Sequence, residues 1–151
     1  MDNIYKNIYK INLDLKSKTK NALLKEMFKE IKDSEYILDK DKAFEDLLDR
    51  EIIGSTGIGK SVAIPHAKTD FVTKIVMGVG IHKEGIDYES IDEEKVNLVF
   101  MFLTPNSMSQ EYLTLLARIS RFAQDKSFTE NLLNASSEEE VIEIIKKMEI
   151  K

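Results

Sequence analysis

Six residues in succession, Leu98 to Leu103 (LVFMFL), are apolar. A strand with one face in water alternates apolar and polar side chains, so this unbroken run needs cover on both faces, which a sheet between two layers of helices provides. Thr104-Pro105 closes the run, because proline has no N–H to give a neighbouring strand. Two other segments fit neighbouring strands: Val62 to Ile64, stopped by Pro65, and a nearly continuous apolar stretch of Ile75, Val76, Met77, Val79 and Ile81. Near the start, Ile11, Leu13 and Leu15 alternate with polar residues like a half-buried strand.

The covering helices are legible on both sides of these strands. Leu23, Leu24, Met27, Phe28 and Ile31 recur at helical spacing, and Asp39 or Asp41 can cap a second helix whose stripe is Ala43, Phe44, Leu47, Leu48 and Ile52, ending near Gly54. After the central run, Ser107 to Gln110 reads as a capping box for a helix carrying Leu113, Leu116, Ile119 and Ala123. A short helix is predicted around Leu132 and Leu133, and Ser137 to Glu140 caps a last one bearing Val141, Ile142, Ile144, Ile145 and Met148. No repeat or linker interrupts this order. The prediction is one α/β domain over residues 1–151, a mixed β-sheet flanked by helices on both faces.

Composition closes off several kinds of chemistry. There is no Cys, hence no disulfide, thiolate nucleophile or Cys-based zinc site, and only two His, His66 and His82. No cofactor and no metal is expected. A net charge of −5 with basic residues dispersed among acidic ones offers no cationic face for nucleic acid. No run is long and apolar enough for direct membrane insertion, and the opening MDNIYKNIYK lacks a secretory pattern, so the chain is expected in the cytoplasm.

Gly54 to Ser61, GSTGIGKS, matches the phosphate-loop pattern G-x-x-x-x-G-K-[ST] letter for letter. Its context argues against a nucleotide cradle. A phosphate loop needs a strand before it and a helix after it, whereas here a helical pattern precedes and Val-Ala-Ile-Pro follows. No apolar strand ends in an Asp for Mg²⁺. The alternative is a tight turn in which Gly54, Gly57 and Gly59 supply unusual backbone angles and close approach, with Lys60 solvated.

On its own, His66 reads more readily as an ordinary histidine at a strand end than as a functional one. The surrounding segment adds more. Arg50 to Lys68, REIIGSTGIGKSVAIPHAK, carries an Arg-Glu pair at a helix end, then S-T-G-I-G, then A-I-P-H. This resembles the enzyme IIA domains of the fructose and mannitol class of the bacterial phosphotransferase system, including the nitrogen-regulatory type. The likeness extends to Glu84-Gly85-Ile86-Asp87, the LVFMFL strand, YLTLLARISR and ASSEEEVIEII.

The resemblance implies that His66 is phosphorylated by the histidine-containing phosphocarrier protein and passes the phosphoryl group to a IIB component, which serves a membrane permease. The sugar then meets the permease and never this domain. A neutral imidazole is a competent nucleophile, and a nitrogen-bound phosphoryl group is readily passed on. Arg50, at the family's matching arginine, would meet the phosphoryl oxygens, with Ser55 and Thr56 as further donors. Many members carry a second histidine where this chain has Tyr112, whose phenol donates a hydrogen bond but cannot share a proton at neutral pH. Lys60 stands where members commonly carry Asn. His82 matches no functional histidine and is expected to pack or lie at the surface, ending its strand. The alternative role is that of a regulatory module whose His66 phosphorylation state controls binding to a transporter or kinase.

Overall fold

The computed structural model of the 151-residue chain describes residues 3–150; Met1, Asp2 and Lys151, which the single-domain prediction includes, lie outside them. After a 3₁₀ turn at Ile4–Asn7 come strand β1 (Ile8–Asn12), helices α1 (Lys20–Ile31) and α2 (Lys40–Ile53), and strands β2 (Gly57–Gly59), β3 (Val62–Ala63), β4 (His66–Thr69), β5 (Val76–Ile86) and β6 (Val96–Pro105). A 3₁₀ turn at Asn106–Met108 then leads into α3 (Ser109–Phe122), α4 (Lys126–Leu133) and α5 (Glu138–Glu149).

The strands form one mixed six-stranded sheet in the order β1-β5-β6-β3-β2, with β4 also on β6. β6 is central and buried along nearly its whole length, as its apolar run requires. Helices α1 and α2 cover one face through Leu23, Met27, Ile31 and Leu47, while α3, α4 and α5 cover the other through Leu115, Ile119, Phe128, Leu132, Val141 and Ile145. Close approach of α1 needs small residues beneath it: a Cβ on Gly80 would lie 2.4 Å from the Met27 sulfur and 2.7 Å from a Leu15 methyl.

β3 and β4 run along β6 in one unbroken register, Val62 opposite Leu98, Ala63 opposite Val99, His66 opposite Phe102. They are a single line interrupted at Ile64-Pro65. Proline has no N–H for the ladder, and the Ile64 carbonyl turns to the His66 ring instead. The apolar alternation that reveals strands does not reach β4, whose sequence HAKT is polar, so this strand was not expected.

Several boundaries differ from the sequence prediction. β1 begins earlier, at Ile8, and ends before Leu13; Leu15 is buried beyond it, under α1. Ile52 is 81% exposed, and Glu51 takes the buried place at that end of α2. The expected capping box at Ser107 is a 3₁₀ turn; α3 starts at Ser109 behind Met108 without a side-chain cap, and Leu113 is 63% exposed rather than on the buried stripe. His82 lies inside β5, not at its end, donating from Nε2 to the Ser17 carbonyl and accepting the Gly85 N–H on Nδ1. Asp39 caps α2 and Ser137 caps α5.

The phosphate-loop look-alike is a β2–β3 hairpin. Gly59 pairs with Val62 across a two-residue turn in which Lys60 and Ser61 both have positive φ, 57° and 68°, as a type I′ turn demands. Gly59 is itself left-handed at φ 91°, and a Cβ on Gly57 would strike Ser90. Gly54, with φ 179°, is in extended backbone any residue adopts, so the expectation of an unusual angle fails there. Ser61→Gly is therefore expected to stabilise the protein by about 0.5–1 kcal/mol by relieving left-handed strain. Urea denaturation checks this; an unchanged midpoint would show that the turn stores no such strain.

Candidate functional site

Pro65 delivers the chain into β4 so that His66, 4% exposed, stands over the central strand. Its ring stacks on Phe102, centroids 5.5 Å apart and planes 20° apart, and meets Tyr112 from α3 at 5.5 Å and 51°. Nδ1 hydrogen-bonds the Ile64 carbonyl two residues back. A carbonyl only accepts, so Nδ1 carries the proton and Nε2 keeps the lone pair. Burial holds the imidazole below its ordinary value of 6.5; the Ile64 hydrogen bond and Glu51 oppose that shift, and the Arg50 charge adds to it. The ring is therefore neutral through the neutral range.

The sign of its pH dependence follows. The folded state binds this proton more weakly than the unfolded chain, so the stability His66 contributes is fully present above 6.5 and is lost as pH falls through its folded value. Any reaction of Nε2 is expected to keep a flat rate through neutral pH and to decline only below 6.5, which a rate profile across that range checks.

Arg50, in the last turn of α2, donates from Nη1 to the Gly54 carbonyl at 2.9 Å, and its charge acts on both His66 and Tyr112. Burial raises the Tyr112 phenol above its usual value against the opposing pull of Arg50, so it remains a neutral donor. The ammonium of Lys68, two residues along β4 from His66, lies over the Tyr112 ring at 5.4 Å from its centroid. Arg50, His66 and Tyr112, proposed from sequence, are thus brought together.

Ser55 and Thr56 border the same turn, but the one hydrogen of each hydroxyl is already committed, so the expectation that they donate to a phosphoryl group does not fit this arrangement. Ser55 Oγ donates to the Tyr88 carbonyl at 3.1 Å and accepts the Gly57 N–H, and Thr56 Oγ1 donates to the Glu51 carboxylate. Glu51 and Tyr88 are buried, and Lys20 from α1 closes on Glu51 at 2.9 Å. Burial would raise the Glu51 carboxyl, but hydrogen bonds from Thr56 and Lys20 and the Lys20 charge outweigh it and leave the group below its ordinary value, ionised. Glu51 stands in the Arg-Glu pair of the motif but is given no role from sequence, nor are Lys20 and Tyr88. A further signal is its spacing: Glu51 follows Leu47 by four residues, which puts a carboxylate on the buried stripe. Lys60 is exposed in the hairpin turn, its N–H held by Asp92, away from this cluster. Among the described residues no group of His, Asp or Glu side chains stands together as a metal site, and no helix is long and apolar enough to cross a membrane.

Residues 5–148 match the family model described as phosphoenolpyruvate-dependent sugar phosphotransferase system, EIIA 2. Among curated proteins the chain is 36% identical over 135 residues to a fructose-specific EIIABC component of Bacillus subtilis, covering 89% of this chain but only 21% of that protein. It is 33% identical to a fructose-specific EIIA component of Haloferax volcanii, over 89% of this chain and 88% of that one. Among solved structures, the nitrogen regulatory protein IIA-Ntr from Neisseria meningitidis superimposes with a TM-score of 0.87 at 30% identity, over 94% of this chain and 98% of that one. The mixed sheet between two helical layers and the match over nearly every described residue agree: the chain belongs to the EIIA family of the phosphoenolpyruvate-dependent sugar phosphotransferase system.

Proposed function

We propose that this chain is a phosphohistidine carrier that receives a phosphoryl group on Nε2 of His66 from the histidine-containing phosphocarrier protein and hands it to a IIB component, in the cytoplasm, as one IIA-type domain. The observation that carries this reading is the tautomer: Nδ1–H is held by the Ile64 carbonyl, and a buried neutral ring keeps its lone pair on Nε2, within reach of the Arg50 charge. That lone pair attacks phosphorus while the donor's N–P bond breaks and its electron pair stays on the donor imidazole, so no proton needs to move on His66. Arg50 meets the equatorial oxygens with two parallel N–H donors, and Tyr112 supplies one more.

Exposed aliphatic residues flank the site in the chain: Ile52 and Ile53, 81% and 83% exposed, beside Arg50, and Leu113 beside Tyr112. They suit a docking face for partners that must leave after each transfer. Ile52→Ser and Leu113→Ser are each expected to raise KM for the phosphoryl donor about tenfold with little change in kcat, the loss of about 1–2 kcal/mol of interface contact. Steady-state transfer kinetics read this out, and unchanged KM in both would place docking elsewhere.

The likeness to a nitrogen regulatory protein supports a second reading, in which the phosphorylation state of His66 governs a complex with a transporter or kinase. Phosphorylated protein mixed with candidate IIB proteins separates the two. Stoichiometric loss of the phosphoryl group to a IIB protein supports the carrier, whereas a stable complex that forms in only one phosphorylation state, without transfer, supports the regulator.

A further inference from the structure

Glu51 is a charged group placed where the end of a helix is buried, and nothing in the transfer chemistry requires a carboxylate there. Its surroundings are specific. One oxygen accepts the Thr56 N–H at 2.8 Å and lies 2.9 Å from Lys20 Nζ, and the other accepts from Thr56 Oγ1 and, at 3.0 Å, from the Tyr88 hydroxyl. The Lys20 side chain is 15% exposed and also lies over the Tyr88 ring at 4.6 Å from its centroid. Glu51 is next to Arg50 in α2, and Thr56 leads onward: its carbonyl accepts the Ile64 N–H at 3.0 Å, and the Ile64 carbonyl accepts from His66 Nδ1. A chain of hydrogen bonds thus runs from Lys20 through Glu51, Thr56 and Ile64 to the ring that reacts.

A buried ion pair gives weak net stabilisation, since desolvating both charges offsets most of their attraction. Fixing geometry is the better account of its presence. Both ends of the reaction depend on it: the Arg50 end because the adjacent carboxylate ties the end of α2 to the β2 turn, and the His66 end because the same turn holds the Ile64 peptide that fixes the tautomer. We infer that Glu51, charge-balanced by Lys20, is a positioning residue for phosphoryl transfer, holding Arg50 and the Nδ1–H form of His66 in register without touching the phosphoryl group. The transfer part of this inference rests on the carrier reading above; the tautomer part does not.

The test compares the wild type with Glu51→Gln and with the double variant Lys20→Met/Glu51→Gln, in which the buried charge left by the single change is also removed. Each is assayed for phosphorylation by the histidine-containing phosphocarrier protein, and the ¹⁵N shifts of the His66 imidazole are measured in the unphosphorylated proteins. Both folded variants are expected to lose about 10- to 100-fold in kcat with KM within about twofold, the cost of small misplacement of reacting groups. The Nδ1–H signature is expected to give way to a mixture of tautomers. A folded double variant with wild-type kcat and tautomer would overturn the inference and make Glu51 a structural residue only. Should Glu51→Gln fail to fold, the double variant alone decides. Should the wild type accept no phosphoryl group, the carrier reading fails, and the imidazole shifts still decide whether Glu51 holds the ring: tautomer mixing supports it, an unchanged signature overturns it.

Discussion

Replacing Arg50 with Ala is expected to slow phosphorylation of His66 by about 10²–10³-fold, the usual cost of removing one group that stabilises charge in a transition state. The reasoning starts from position. Arg50 sits at the end of α2 with one guanidinium nitrogen committed to the Gly54 carbonyl, which leaves the rest of the planar fork for a ligand. Its charge is felt at both His66 and Tyr112. As the phosphoryl group moves between two imidazoles its three equatorial oxygens carry spread negative charge, which a fork oriented in advance stabilises without reorganising. Arg50→Lys keeps the charge but loses the fork, and its loss should be about tenfold or more. The fold should survive, because the Gly54 contact is exposed and worth only about 0.5–1.5 kcal/mol. Initial rates of labelling measure the effect; a folded Arg50→Ala protein labelled at the wild-type rate would remove Arg50 from the chemistry.

The largest expected effect on stability comes from Phe102→Ala, at about 3–5 kcal/mol from the lost burial and the cavity left behind. Phe102 is fully buried in the central strand, belongs to the larger of the two cores, and touches the rings of both His66 and Tyr112. It is the floor on which the His66 imidazole is stacked. The variant should therefore unfold at lower urea concentration and, where still folded, transfer more slowly because the imidazole is less confined. A loss under about 1 kcal/mol would mean that the site collapses onto the gap and that the ring contacts carry little packing energy.

What the sequence revealed and what it hid follow the same physics. LVFMFL announced a strand covered on both faces because burial leaves a period that can be read, and the stripes of α1, α2 and α5 were legible for that reason. β4 was not, since its neighbour on β6 rather than its own residues makes HAKT a strand. Leu113 and Ile52 were assigned to buried stripes because apolar character alone does not distinguish a core face from an exposed one. At the candidate site, motif and family likeness propose His66, Arg50 and Tyr112, which the structure brings near one another. The Lys20–Glu51–Tyr88 cluster was missed because its members come from three segments that meet only when α1 and α2 pack on the sheet. The phosphate-loop pattern fails on context, and the hairpin supplies the reason: Lys60 and Ser61 are turn residues with left-handed backbones, not the start of a helix.

The central claim is that a phosphoryl group resides on Nε2 of His66. Purified protein incubated with labelled phosphoenolpyruvate, enzyme I and the cognate histidine-containing phosphocarrier protein, beside a folded His66→Gln variant, tests it directly. The account predicts acid-labile label on the wild type alone, with NMR of the phosphoprotein placing phosphorus on Nε2. Label on the His66→Gln protein, phosphorus on Nδ1, or a folded wild type that stays unlabelled would contradict it.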